Sequence, residues 1–350
     1  MNKLNILLIL IISGAMSSCN KNTGSTVGYS GKDISKNITI IREKSTKAAS
    51  IQIYTKGLWK IYAGLSPDNI DMTNPIAQGM DSGTFPLNVP DSVRSYFVIE
   101  TEEGKAIVSD RHLPMTGGYN FRDLGGYVTT DGKHVKWGKV FRSDDLHSLT
   151  DADLHYLSSI PLESIVDFRS EEEMNEQPDL NPASVKQNYK YPINPGNLMG
   201  AVKADLENLT EMKADTLMMG MNELLVSDSA SISQYRKFFA LLQSENDVPL
   251  MFHCSAGKDR TGMGAALFLW ALGVDEHTIL QDYMLSNSYL ANKYAKYKAI
   301  NPALASLFTV KPEFIQAGLN RIKKDHGSVE NYLTNVLGVD IPKMKDKYLY

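Results

Sequence analysis

Residues 253–262 read HCSAGKDRTG, and the fold is decided by what flanks them. Pro249, Leu250, Met251 and Phe252 make a short apolar run before this stretch, and a long apolar segment from Met263 to Leu272 follows it. The pattern predicts a buried strand, a tight loop and a buried helix. Cys254 and Arg260 bracket five residues. That spacing lets one loop, Ser255, Ala256, Gly257, Lys258 and Asp259 up to Arg260, curl its backbone N–H groups towards a tetrahedral anion while the helix N-terminus adds positive potential. Cys254 falls at the base of this cradle, where Lys258, Arg260 and converging amides favour the thiolate, the nucleophilic form. The planar fork of Arg260 suits two phosphate oxygens, a geometry that lysine does not reproduce. Gly257 and Gly262 permit left-handed or crowded backbone. Thr261 can aim its hydroxyl at the Cys254 sulfur and assist its expulsion from a phospho-cysteine.

The extended motif HCxxGKDRTG resembles the active-site loop of cysteine-dependent protein tyrosine phosphatases. The Lys-Asp pair at 258 and 259 resembles the atypical bacterial branch that also accepts phosphoserine, phosphothreonine and phosphoinositides. A bare Cys-x5-Arg arises by chance in many proteins; the ten-residue form between an apolar strand and an apolar helix is far more specific. A buried structural cysteine with an incidental arginine would leave the surrounding His, Gly, Lys, Asp and Thr unexplained.

The 350-residue chain exceeds one typical domain. Its 36 Lys plus Arg against 40 Asp plus Glu give a net charge of −4, so no global charge draws it to nucleic acid or to an anionic membrane. Cys19 and Cys254 are its two cysteines, which excludes a disulfide framework. Residues 1–19 read as an export signal: Lys3 as the positive start, Leu4 to Ile12 as the apolar stretch, then small residues up to Cys19. This stretch is too short for a comfortable membrane span. Met16-Ser17-Ser18-Cys19 resembles a bacterial lipoprotein cleavage box, which implies that Cys19 becomes the lipid-modified N-terminus and that the protein sits at a membrane outside the cytoplasm, periplasmic or on the outer surface. The bland alternative is an ordinary signal peptide. Residues 20–33 read as a flexible tether.

From 34 to 112 short alternating runs predict six or so strands: Ile38–Ile41, Ser50–Tyr54, Trp59–Ala63, Thr84–Val89, Tyr96–Glu100 and Lys105–Ser109. They suggest a small all-β sandwich of immunoglobulin or fibronectin-III type, with no cluster of chemically active side chains, hence a spacer or docking module. Tyr54, Trp59 and Tyr62 are expected in the core or on a sheet surface.

Residues 113–350 form the phosphatase domain in this reading, an α/β unit with a central, mostly parallel sheet flanked by helices. Gly117–Gly126 (GGYNFRDLGG) and Val140–Asp145 (VFRSDD) look like opening signatures of the same phosphatase family. For Arg122, Asp123, Arg142 and Asp144 a structural salt-bridge network is at least as good a reading as direct catalysis. In SIVDFRS, 164–170, the apolar run ends in Asp167 and Arg169, and charged residues just past the carboxyl end of such a strand face the crevice of an α/β sheet. Residues 195–231, with methionine and leucine at helical spacing, are expected to form a helical lid of the kind relatives carry; a plain surface helix pair is the alternative.

A general acid must protonate the leaving oxygen and later activate water. Tyrosine phosphatases hold that aspartate on a Trp-Pro-Asp loop, and no such tripeptide occurs here. Asp259 is the first choice and Asp167 the second. His253 is expected to orient the loop through backbone hydrogen bonds. No cofactor is implied, and the seven histidines show no paired metal-ligand spacing. The substrate is then a phosphorylated protein or a phosphoinositide. Inositol polyphosphates and catalytically idle phosphate binding are the alternatives, and a rhodanese-type sulfurtransferase fits the loop poorly.

Overall fold

The computed structural model describes residues 29–194, 209–295 and 304–350. Cys19, most of the expected tether and the first part of the expected lid, 195–208, lie outside the described residues.

Between Ser30 and Val108 the chain makes two antiparallel sheets. One orders β1 (Ser30–Gly31), β8 (Gly104–Val108), β7 (Tyr96–Thr101), β4 (Trp59–Gly64) and β5 (Ala77–Gly79); the other orders β2 (Ile38–Arg42), β3 (Ala49–Ile53) and β6 (Gly83–Leu87). Alternation places every second side chain of β2 and β3 inside. Ile38, Ile40, Ile51 and Ile53 meet Trp59, Ile61, Phe97 and Ile99 in one core. Trp59 and Tyr62 are buried, whereas Tyr54 is exposed.

This β-unit is not a detached spacer. Tyr62, Ile70, Tyr96, Val98 and Ile107 close over Trp137 of the following unit in a second apolar cluster. The fully buried Arg94 donates to Asp123 at 3.0 Å and to the Asp110 carbonyl at 3.0 Å. Lys47 donates to Asp153 at 3.0 Å. The expectation of a spacer is corrected by these contacts. Their partners are far apart in sequence, 106 positions in the case of Lys47 and Asp153, so periodicity within the β-unit could not reveal them.

The second five-stranded sheet orders β12 (Gln187–Lys190), β11 (Ser164–Asp167), β13 (Leu250–His253), β10 (Val140–Ser143) and β9 (Arg122–Asp123). The pairs β12–β11, β11–β13 and β13–β10 run parallel, and β9 joins the edge antiparallel. Register sets Ser143, His253 and Asp167 level at the carboxyl ends of three neighbouring strands. Every residue of β13 is buried. The helix Arg260–Leu272 that follows its loop is buried except at Arg260 and Trp270, as befits a helix apolar all round, and it ends at a left-handed Gly273, φ 87°.

The segment expected as a lid divides differently. Ala214, Met218 and Met221 of the helix Glu211–Ser227 pack against Leu307 and Phe314. The next helix, Ser229–Leu242, sinks Tyr235, Phe238 and Phe239 into the main core beside Phe252.

The carboxyl edge of the sheet is pinned by four charges. Arg169 grips Asp167 through Nε and Nη2 and reaches Asp179 at 2.6 Å. His253 Nε2 lies 3.2 Å from Asp179 and 3.8 Å from Asp167, off the line of a hydrogen bond, and its Nδ1 has no partner among the described residues. Among the described residues the His253 ring makes none of the expected hydrogen bonds to backbone; it is held by charge. Burial opposes an imidazolium here, but Asp167 and Asp179 outweigh it and raise the His253 pKa to about 9. The ligand atoms of Asp167, Asp179 and His253 lie within 4.8 Å of one another. Arg169 already supplies both carboxylates with a counter-charge, which disfavours a metal ion among them.

Two outcomes follow from this packing. Replacing Arg94 by Met should leave Asp123 buried without its cation and lower unfolding stability by about 3–5 kcal/mol in urea titrations. The raised pKa of His253 means that its contribution is complete below about 6.5 and is lost as pH climbs through about 9. Stability of the parent should fall by roughly 1–3 kcal/mol across that interval through this group, and the fall should flatten in His253→Gln.

Candidate active site

The loop from Cys254 to Asp259 leaves β13 at the sheet's carboxyl edge and enters the Arg260–Leu272 helix. Its carbonyls are held from outside. Asn120 Nδ2 donates to the carbonyls of Ala256 and Gly257, each at 3.0 Å. Arg142 Nη2 donates to the Gly257 carbonyl at 2.7 Å, and Lys293 Nζ lies 3.3 Å from that of Ser255. Among the described residues, none accepts from the backbone N–H groups of Ser255 to Arg260. Carbonyls bound outward and amides left free are what an anion-binding concavity requires. Gly257 sits at φ +65°, and a Cβ there would come 2.2 Å from the Ser143 carbonyl oxygen, so glycine alone fits. At Gly262 an added Cβ would press on the Tyr283 ring at 2.9 Å.

The donors that hold the loop are themselves fixed. Asp282, fully buried, accepts from Arg142 Nη1 at 2.7 Å, Arg122 Nε at 3.0 Å and the Tyr127 hydroxyl at 2.8 Å. Burial would raise its pKa, but the two arginines hold the carboxyl far below the usual carboxylate range. Arg122 Nη1 fixes the Asn120 side chain at 2.5 Å. Asp144 accepts the backbone N–H groups of Tyr119 and Asn120 at 3.0 and 2.8 Å, and with Asp145 it holds Lys293, both at 2.7 Å. Burial works against the charge on Lys293, yet the two carboxylates raise its pKa. Arg122, Arg142 and Asp144 are thus a buried salt-bridge network beneath the loop, and Asp123 belongs to the contact with the β-unit.

Cys254 is buried and free. Arg260 is braced end-on by Glu173, Nη1 to Oε2 at 2.7 Å and Nη2 to Oε1 at 2.9 Å, while Nη1 also approaches the carbonyls of Phe168 and Ile193. Glu173 Oε1 also accepts from the Ser255 hydroxyl. Burial pushes the Glu173 pKa up, but Arg260 and Ser255 win and bring it to about 2. This carboxylate was invisible as a site residue in the sequence. In the structure it also closes a capping box at the start of the short helix Glu171–Glu176, accepting from the Ser170 N–H at 2.8 Å. The Tyr235 hydroxyl donates to the Arg260 carbonyl at 2.7 Å.

The two aspartates proposed from sequence sit differently. Asp259 starts the helix without capping it and, among the described residues, is held only by Lys258 Nζ, at 3.0 and 2.8 Å. Asp167 accepts three side-chain bonds and one backbone N–H bond from Arg169. Thr261 Oγ1 is buried without a hydrogen-bond partner among the described residues, the Cys254 sulfur included. The arrangement can seat a tetrahedral dianion over Cys254, with six free amides and the Nε edge of Arg260 available to its oxygens.

The sequence profile described as the tyrosine phosphatase family matches residues 113–350. A Cupriavidus necator protein named as a candidate tyrosine-protein phosphatase is 32% identical over 269 residues, spanning 73% of this chain and 95% of its own length. A tyrosine-protein phosphatase of Nostoc commune is 33% identical over 149 residues, 43% of this chain and 48% of that one. The triple specificity protein phosphatase PtpB of Mycobacterium tuberculosis is 25% identical over 263 residues, 64% of this chain and 92% of its own. On this evidence the chain belongs to the tyrosine phosphatase family and is a protein-tyrosine-phosphatase-like hydrolase.

Proposed function

We propose that the protein hydrolyses phosphate monoesters through a phospho-cysteine on Cys254, acting on phosphotyrosine, phosphoserine or phosphothreonine in proteins, or on phosphoinositides. The observation that supports this most is the loop itself, with its carbonyls drawn out by Asn120, Arg142 and Lys293. Cys254 attacks phosphorus in line, the ester oxygen leaves with a proton, and the phosphoryl group passes to sulfur; water then attacks phosphorus, and the thiolate and inorganic phosphate are released. Arg260 and the loop amides stabilise the charge on the equatorial oxygens. Asp259 donates the first proton and accepts one from the water. Among the described residues Asp259 is held by Lys258 alone, which suits that exchange better than the four donor contacts on Asp167. Substrate breadth finds support in the triple specificity named for the mycobacterial relative. The lipid-anchored, extracytoplasmic placement through Cys19 and the immunoglobulin-like character of the β-unit complete this reading.

Turnover of aryl phosphate, phosphopeptides and phosphoinositide vesicles should fall more than about a thousandfold in Cys254→Ser, and a chelator should leave the parent unchanged. If Cys254→Ser keeps its turnover, the covalent reading is wrong. Asp259→Asn should lower kcat by about 10²–10⁴ for esters with poor leaving groups. Should Asp167→Asn produce that loss in folded protein while Asp259→Asn does not, the proton carrier is Asp167. The ranking of the three substrates decides between protein and lipid.

A further inference from the structure

The turn between β2 and β3 in the β-unit holds an unexpected residue. Lys47 has φ 59°, the sole described non-glycine residue with positive φ. Glycine or asparagine adopts this left-handed backbone with less strain, so the side chain must justify the lysine. Lys47 is buried, and its ammonium donates to the Pro114 carbonyl at 2.7 Å and to Asp153 at 3.0 Å. Its own carbonyl is fixed by Arg42 at 2.8 Å.

Asp153 is the node of the segment that leads into the site. It accepts the backbone N–H groups of Thr116 at 2.9 Å, Gly117 at 2.8 Å and Thr150 at 3.1 Å. From the same turn Lys44 donates to the Gly118 carbonyl at 2.8 Å and lies 4.4 Å from the centre of the Tyr119 ring. The next residues are those whose N–H groups meet Asp144, and Asn120 then grips the Ala256 and Gly257 carbonyls. An unbroken run of short contacts thus leads from the β-unit to the phosphate loop.

We infer that the β-unit completes the active site: Lys47, assisted by Lys44, is a positioning residue that fixes residues 114–120 and through Asn120 sets the loop around Cys254. This rests on the phosphatase reading for its kinetic test but not for its chemical one. The separate contact Lys139–Asp68, 2.9 Å long and partly exposed, joins the same two units without touching this segment and serves as the control.

The test compares the parent with Lys47→Met, Lys47→Gly, Lys47→Arg and Lys139→Met. Each is followed by thermal melting, by kcat and KM on an aryl phosphate, and by the pH dependence of Cys254 alkylation with iodoacetate, read on the peptide containing that cysteine. Lys47→Gly removes the ammonium while relieving the left-handed strain, so a fold lost in Lys47→Met does not end the test. The expected result is a kcat lower by about tenfold to a hundredfold in folded Lys47 variants, a smaller change in KM, a displaced alkylation profile, and partial recovery in Lys47→Arg. Lys139→Met should match the parent in kcat and alkylation. Folded Lys47 variants with parental kcat and an unshifted alkylation profile would overturn the inference, whatever their melting temperatures. If the parent turns over no ester, the phosphatase reading fails, and the alkylation profiles still decide the role of Lys47.

Discussion

A cage of backbone amides exists only where the carbonyls between them have somewhere else to go. Every peptide unit that offers an N–H to an anion carries an oxygen that must be satisfied in the opposite direction. Here Asn120 and Arg142 meet that demand, with Lys293 beside them. Asp282 in turn makes it possible to bury Arg122 and Arg142 side by side. Two guanidinium groups under one loop would repel; one carboxylate between them makes the cluster tolerable and rigid. Much of the catalytic unit is scaffolding for this arrangement, including the two motifs near its start.

How much of this was legible in the sequence depends on the range of the interaction. The strand Leu250–His253 and the helix Arg260–Leu272 were read almost to the residue, because apolar runs on either side of a cysteine loop leave few alternatives. The β-unit was legible where alternation is strong, as in β2 and β3, and missed at Ser30–Gly31 and Ala77–Gly79, which are too short to show a period. Arg122, Arg142 and Asp144 could be singled out by motif but not given a partner. Asp282 and Lys293 lie 140 and 149 residues from theirs, on a helix and a turn with no distinguishing pattern.

Other residues were hidden by having two roles. Glu173 both caps a short helix and grips Arg260, and its partner lies 87 positions away, beyond the reach of local pattern. His253, beside the nucleophile, invited a hydrogen-bonding role, whereas its ring faces two carboxylates drawn from residues before and after a short helix. Lys47 sits in a turn where charge is unremarkable. Only its backbone angle and its buried ammonium mark it out.

The Glu173–Arg260 pair has a bearing on what the site does between turnovers. An unmatched guanidinium at the bottom of a cleft would hold any passing anion, the product included. With one edge already neutralised by Glu173, Arg260 meets its ligand as half of a dipole, and the amides supply the remainder through shape. The pair leaves a stray carboxylate or halide less net positive charge to meet than a lone guanidinium would. In the mechanism proposed above, interaction reserved for the spread, three-oxygen charge of a phosphoryl group in transit raises the rate and not merely the occupancy.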